Sequence, residues 1–158
     1  MDRLIRPSSV SPNGFTLIEA LIIIALIGLL ALMAFPLLEK SVTIANVRNA
    51  RTLAIGLYSR ARASALETGR VTTLSFAGNV ALITATPRLE PAVGSTLDTL
   101  GGPENLLALY GVTVTGTPTT VLTVDPRGLA SSNATTIYFT RAGRTDSMSV
   151  SGFGRVVK

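Results

Sequence analysis

The spacing of apolar and polar positions divides the chain into three regimes. From Ala20 to Leu38 there are 19 consecutive residues without a charge. At about 1.5 Å of helical rise per residue, such a run matches a bilayer core of about 30 Å. Beyond Leu38 the pattern changes to apolar residues at three- and four-residue steps: Val47, Ala50, Ala54, Leu57, Tyr58, Ala61 and Ala65. That spacing marks one face of an amphipathic helix. Lys40, Arg48, Arg51, Ser59 and Arg62 fall mainly off this face, so Arg48, Arg51 and Arg62 read as a solvated surface. Thr68-Gly69 supplies a stop signal. The pattern predicts one helix from about residue 16 to about residue 67, on the order of 80 Å long.

From Arg70 onward the period shortens towards two. Val71–Phe76 and Val80–Thr86 flank Ala77-Gly78-Asn79 and predict a hairpin. Val112–Thr115, Thr120–Val124, Thr135–Thr140 and Ser147–Ser151 alternate or are β-branched. Asp125-Pro126-Arg127-Gly128 and Arg141-Ala142-Gly143-Arg144 are turn signals. Phe153–Lys158 predicts a further edge strand. Pro87 to Pro103 is rich in Pro, Gly and Thr and reads as a long surface loop. Leu106–Tyr110 fits a strand or a helix equally well.

Composition removes most catalytic chemistry. The chain has no histidine and no cysteine. Ser-His-Asp triads, histidine metal sites, thiolate zinc sites and disulfides are therefore impossible. The head carboxylates Glu90, Asp98, Glu104, Asp125 and Asp146 are scattered, and no catalytic constellation or cofactor site emerges. The expected function is not enzymatic. Lys and Arg outnumber Asp and Glu by 14 to 9, a net charge of +5. That balance is compatible with an anionic partner such as nucleic acid or a lipid surface.

The apolar run has an unusual start. Arg3 and Arg6 precede it, and the positive-inside tendency keeps that end cytoplasmic. An ordinary secretory signal has a shorter apolar core and a small-x-small cleavage site, whereas this chain has Leu32-Met33-Ala34. A plain membrane anchor is the other simple reading. Neither accounts for Gly14 at the boundary and Glu19 within it. A carboxylate in an apolar segment is costly and asks for a partner. Cleavage after Gly14 would give Phe15 a free amine, largely protonated at neutral pH, able to pair with a carboxylate. An acid in the first helical turn also suits the helix dipole.

The string GFTLIEALIIIALIGLLALMAFP, Gly14 to Pro36, resembles the class III signal of type IV pilins and type II secretion pseudopilins. The tail strings DPRG, TTIYFT and SMSVSGFGRVVK are similar to the GspH/FimT group of minor pseudopilins and pilins. The resemblance implies an α+β, type IV pilin-like fold: one long helix on a head of two antiparallel sheets. It divides the chain into a leader (1–14), a transmembrane or filament-core segment (15–38), the amphipathic half of the same helix (39–68) and a β-rich head (69–158). It implies cleavage by prepilin peptidase between Gly14 and Phe15, N-methylation of Phe15, and pairing of Glu19 with the Phe15 amine of a neighbouring subunit. Gly28 and Pro36 coincide with the family's helix-breaking pair, where the segment between them loses helical form during assembly. Physically, Pro36 removes an amide donor and Gly28 costs about 1 kcal/mol of helix propensity. Ordinary membrane helices also tolerate Gly and Pro well, so both fit a plain membrane helix too.

The implied partners are other pilins in a helical filament, prepilin peptidase, an inner-membrane assembly platform, and lipid before assembly. The implied location is the bacterial inner membrane, head outside, and then the pilus or pseudopilus. A second functional class is a DNA receptor of natural transformation. In that class a C-terminal Gly-Arg-x-Arg motif binds DNA. Here the tail reads Gly154-Arg155-Val156-Val157-Lys158, so Arg155 matches and Val157 replaces the second arginine. The residues expected to carry DNA binding are Arg141, Arg144, Arg155 and Lys158, since arginine is suited to phosphate.

Overall fold

The computed structural model describes residues 14–87, 97–130 and 134–157. Among these residues a 52-residue helix, α1 (Leu17–Thr68), is followed by nine short strands and one helical turn. The chain divides into two compact units, Met1–Glu39 and Lys40–Lys158, which are described in turn.

In the first unit, α1 runs through Gly28 and Pro36 without a break in helical assignment. Its apolar side chains are largely exposed: Ile24, Leu30, Leu32, Met33 and Phe35 are all about two-thirds exposed or more. A Cβ added at Gly28 would meet nothing within 4 Å, so packing within the chain does not demand glycine there. This is the one helix, among the described residues, long and apolar enough to cross a membrane.

In the second unit, the remaining part of α1 buries Thr43, Val47, Ala50, Ala54, Tyr58, Ala61 and Ala65. The stripe is mostly alanine, which lets the helix backbone approach the strands closely. Leu57 is only half-buried, at the edge of that face. The helix stops at Gly69, whose φ of +65° is left-handed and whose amide donates to Ala65 O.

Two antiparallel sheets complete the head. The first comprises β1 (Thr72–Ala77), β2 (Val80–Ala85), β3 (Asp98–Thr99), β4 (Glu104–Asn105) and β6 (Val121–Val124). Its order is β3-β2-β1-β6, with β4 also on β2. The second has the order β5-β7-β8-β9, from β5 (Thr113–Thr117), β7 (Thr135–Arg141), β8 (Arg144–Val150) and β9 (Val156–Val157). Leu74, Phe76, Ile83 and Leu122 of the first sheet share one core with Ile137, Phe139, Met148 and Val150 of the second. Phe76 and Phe139 meet edge to face at 6.4 Å, joining the sheets at the centre.

Two hairpins turn on two residues each. Gly78 (φ 56°) and Asn79 (φ 68°) close β1–β2, and Ala142 (φ 45°) and Gly143 (φ 75°) close β7–β8. Paired positive φ values are those of a type I′ turn, whose twist matches the strands. Asn79 then does more than turn the chain. Its Oδ1 accepts from Val114 N at 2.8 Å and its carbonyl accepts from Leu106 N at 3.0 Å. These bonds settle the ambiguous segment as a helix, α2 (Leu106–Tyr110), capped by the Asn105 side chain and closed by left-handed Gly111. At Gly116 an added Cβ would lie 2.3 Å from Thr119 O, so that strand position requires glycine.

Two expectations need correction. The stretch from Pro87 to Pro103 is not wholly loop: β3 lies within it and pairs with Thr84 and Ala85, while residues 88–96 fall outside the described set. The terminal edge strand is only Val156–Val157, because Ser151–Arg155 forms a turn: Gly154 N donates to Ser151 O and Ser151 N to Arg155 O.

Candidate functional site

The first candidate is the junction at the start of α1. Gly14 and Phe15 are exposed and precede the helix. Thr16 and Glu19 close a reciprocal cap. The Thr16 amide donates to Glu19 Oε2 at 3.1 Å, Thr16 Oγ1 donates to the same oxygen at 3.0 Å, and the Glu19 amide reaches Thr16 Oγ1 at 3.3 Å. This is a capping box, which satisfies orphan amides at a helix start. The carboxylate therefore has a local partner, Thr16. The spacing Thr-x-x-Glu before an apolar run was the available signal for it.

The basic residues of the head sort by their bonds. Arg51 Nη1 donates to Asp146 Oδ1 at 2.7 Å, and Arg70 Nη1 to Asp98 Oδ2 at 2.5 Å. Arg60 donates to Leu100 O, Arg62 to Gly154 O and Arg141 to Tyr110 O. Among the described residues the Arg48, Arg127, Arg144 and Arg155 guanidinium groups have no hydrogen-bond or ion-pair partner. The solvated-face expectation thus holds for Arg48 and fails for Arg51, whose side chain is 18% exposed. It fails for Arg62 too, which is half-buried against the C-terminal turn. Helical spacing showed these positions leaving one face; it did not show that β8 and the tail would come to meet them.

Of the four residues expected to bind DNA, the three that the structure describes are not gathered at one place. Arg141 is bonded to the last turn of α2. Arg144 lines a cavity of roughly 220 Å³ with Ile44, Val47, Arg48, Thr145 and Asp146. Arg155 lines another, of roughly 470 Å³, with Tyr58, Arg62, Leu66 and Phe153. Arg48 and Arg62 mark these two places on α1, about 21 Å apart along the helix axis. Lys158 lies outside the described residues. Arg155 stands in the turn before β9 and not on a strand.

The larger cavity has a rigid floor. Tyr58 is 1% exposed and its hydroxyl donates to Gly154 O at 3.4 Å. Burial raises its pKa above the usual 10.0, and the nearby Arg62 charge offsets part of that rise. Gly154 has φ +75°, and a Cβ there would sit 3.1 Å from both Gly128 O and Tyr58 Oη. Phe153 beside it is 81% exposed.

Comparison with known proteins agrees with this picture. Residues 11–35 match the model of the prokaryotic N-terminal methylation motif. Fold and motif together are those of a type IV pilin-like protein. Two crystal forms of the type IV minor pilin FimU of Pseudomonas aeruginosa PAO1 share the fold. One aligns at 17% identity with a TM-score of 0.57, covering 70% of this chain and 86% of FimU. The other aligns at 18% identity with a TM-score of 0.54, covering 70% and 90%. A sequence comparison with curated proteins finds no match. The apolar helix and the motif are consistent with membrane anchoring.

Proposed function

We propose that the chain is a minor pilin or pseudopilin, a structural subunit of a type IV pilus or type II secretion pseudopilus. The observation that carries this is the methylation motif over residues 11–35, running into a bilayer-length apolar helix on a chain with a pilin-type head. In this reading residues 1–14 are a leader removed by prepilin peptidase at Gly14-Phe15, and Phe15 is then N-methylated. Residues 15–38 anchor the subunit in the inner membrane and later line the filament core. There Glu19 pairs with the Phe15 amine of a neighbour, and the Gly28–Pro36 segment loosens.

Mass spectrometry of protein from native membranes tests this directly. The assembled chain should begin at N-methylated Phe15; a start at Met1, or a cut near Ala34, overturns the reading. Glu19→Ala should still insert into membranes but be depleted from sheared filaments. DNA reception is a second reading, favoured by the unpaired Arg155 beside exposed Phe153, since a cation next to an aromatic face suits a nucleic-acid strand. Arg155→Ala should then weaken duplex binding and flatten its salt slope by about one unit.

A further inference from the structure

We infer that Arg48 and Arg144 form a binding site for the phosphate of an anionic phospholipid, which holds the β7–β8 hairpin against the bilayer before the subunit enters a filament. The inference rests on the membrane-anchored reading above. Both guanidinium groups are exposed and unpartnered, and both line the same cavity of roughly 220 Å³. The one carboxylate lining that cavity, Asp146, is already engaged by Arg51 at 2.7 Å and by its neighbour's amide at 2.9 Å. Arg48 and Arg144, with the Arg51 that Asp146 binds, therefore set three guanidinium groups against one carboxylate and leave the place net positive. Ile44 and Val47 supply its apolar wall. A ligand with a phosphate and a hydrocarbon edge fits both halves.

The position along the chain selects the lipid. Lys40 follows the last residue of the apolar run, Leu38, by two. Arg48 lies eight residues beyond Lys40, about 12 Å along a helix. The headgroup layer adds about 5–8 Å to each side of the bilayer core. Helical side chains incline towards the helix N-terminus, so Arg48 reaches back along α1 towards Lys40, and a long arginine covers the remaining distance by snorkelling. Between them Ile44, one helical turn before Arg48, is 43% exposed and lines the cavity wall. Arg144 comes to the same place from the hairpin tip, 96 residues later in sequence than Arg48.

The test uses the full chain in vesicles of phosphatidylcholine alone or with phosphatidylglycerol. The chain has no cysteine, so an environment-sensitive fluorophore on Ala142→Cys reports the hairpin tip alone. The label should register lipid contact with phosphatidylglycerol and much less with phosphatidylcholine. An arginine near an anionic surface is worth about fivefold in such an equilibrium. Arg48→Gln and Arg144→Gln should each lower contact by about that factor, and the pair by about 25-fold. The charge-keeping Arg48→Lys/Arg144→Lys variant should retain most of it. Equal contact in the two lipids, or an unchanged signal in the double glutamine variant, overturns the inference. Displacement by inorganic phosphate at constant ionic strength, with vesicles present, overturns it in favour of a free-anion site. A second label at Met33→Cys should be shielded from a water-soluble thiol reagent in both vesicles. If it is not, the membrane-anchored reading fails and this inference falls with it; if it is shielded and the hairpin still makes no contact, the inference alone fails.

Discussion

The Arg51–Asp146 pair joins α1 to β8 across 95 residues of sequence. The two side chains are 18% and 30% exposed, between a surface pair and a buried one. Exposed pairs contribute about 0.2–1 kcal/mol, whereas removing one partner of a buried pair costs about 3–5 kcal/mol. Asp146→Ala strands a half-buried guanidinium whose Nε already lacks a partner, so its cost should be about 2 kcal/mol. Arg51→Met keeps the apolar stem and leaves Asp146 near two other cations, so about 1 kcal/mol is expected. The double variant should cost less than the sum by about 1 kcal/mol. Urea unfolding of the head, residues 40–158, measures all three. With an m-value of about 1.5–2 kcal/mol/M, Asp146→Ala should lower the midpoint by about 1 M. A coupling energy near zero at low salt would refute the reasoning, because the pair would then be geometry without energy.

Three further outcomes follow from the same structure. The unit Lys40–Lys158 holds the whole core cluster, so it should fold as a soluble monomer with the circular dichroism of a mostly β protein carrying one main helix; obligate aggregation would contradict this. Thr72 is fully buried and its Oγ1 has no partner, so Thr72→Val should hold or raise stability by about 1 kcal/mol in denaturant unfolding. Because Tyr58 keeps its proton more tightly folded than unfolded, its contribution is full below pH 10 and is lost as pH rises through the higher folded value. Tyr58→Phe should remove that alkaline loss in a pH series of unfolding midpoints.

Much of this protein was legible because its causes are local. A bilayer-length run of 19 uncharged residues needs only counting. The alanine stripe of α1 follows from the 3.6-residue period, and all of its expected members except half-buried Leu57 are buried. In both type I′ hairpins glycine takes one of the two positive φ values, and Asn79 suits the other in the first, whereas Ala142 holds it against its own preference in the second. The Thr16–Glu19 cap was written in four consecutive residues, Thr16 to Glu19.

What the sequence alone determined, then, was whatever depends on neighbours within one turn or one hairpin: the helix, its lipid-length half, the strands and the motif. The tertiary structure decided whatever needs a partner from far along the chain. Leu106–Tyr110 became a helix because Asn79 holds the amide of Leu106 and Asn105 caps it. Arg51 left the solvated face because β8 brings Asp146 to it, and Arg141 was committed to α2 across 31 residues. Arg144 and Arg155, eleven residues apart in sequence, went to different cavities on α1 because β8 runs between them, 3.3 Å or so per residue, along the helix it packs against. A charge pattern fixes how many cations a chain carries; only the fold decides which remain free and which share a surface.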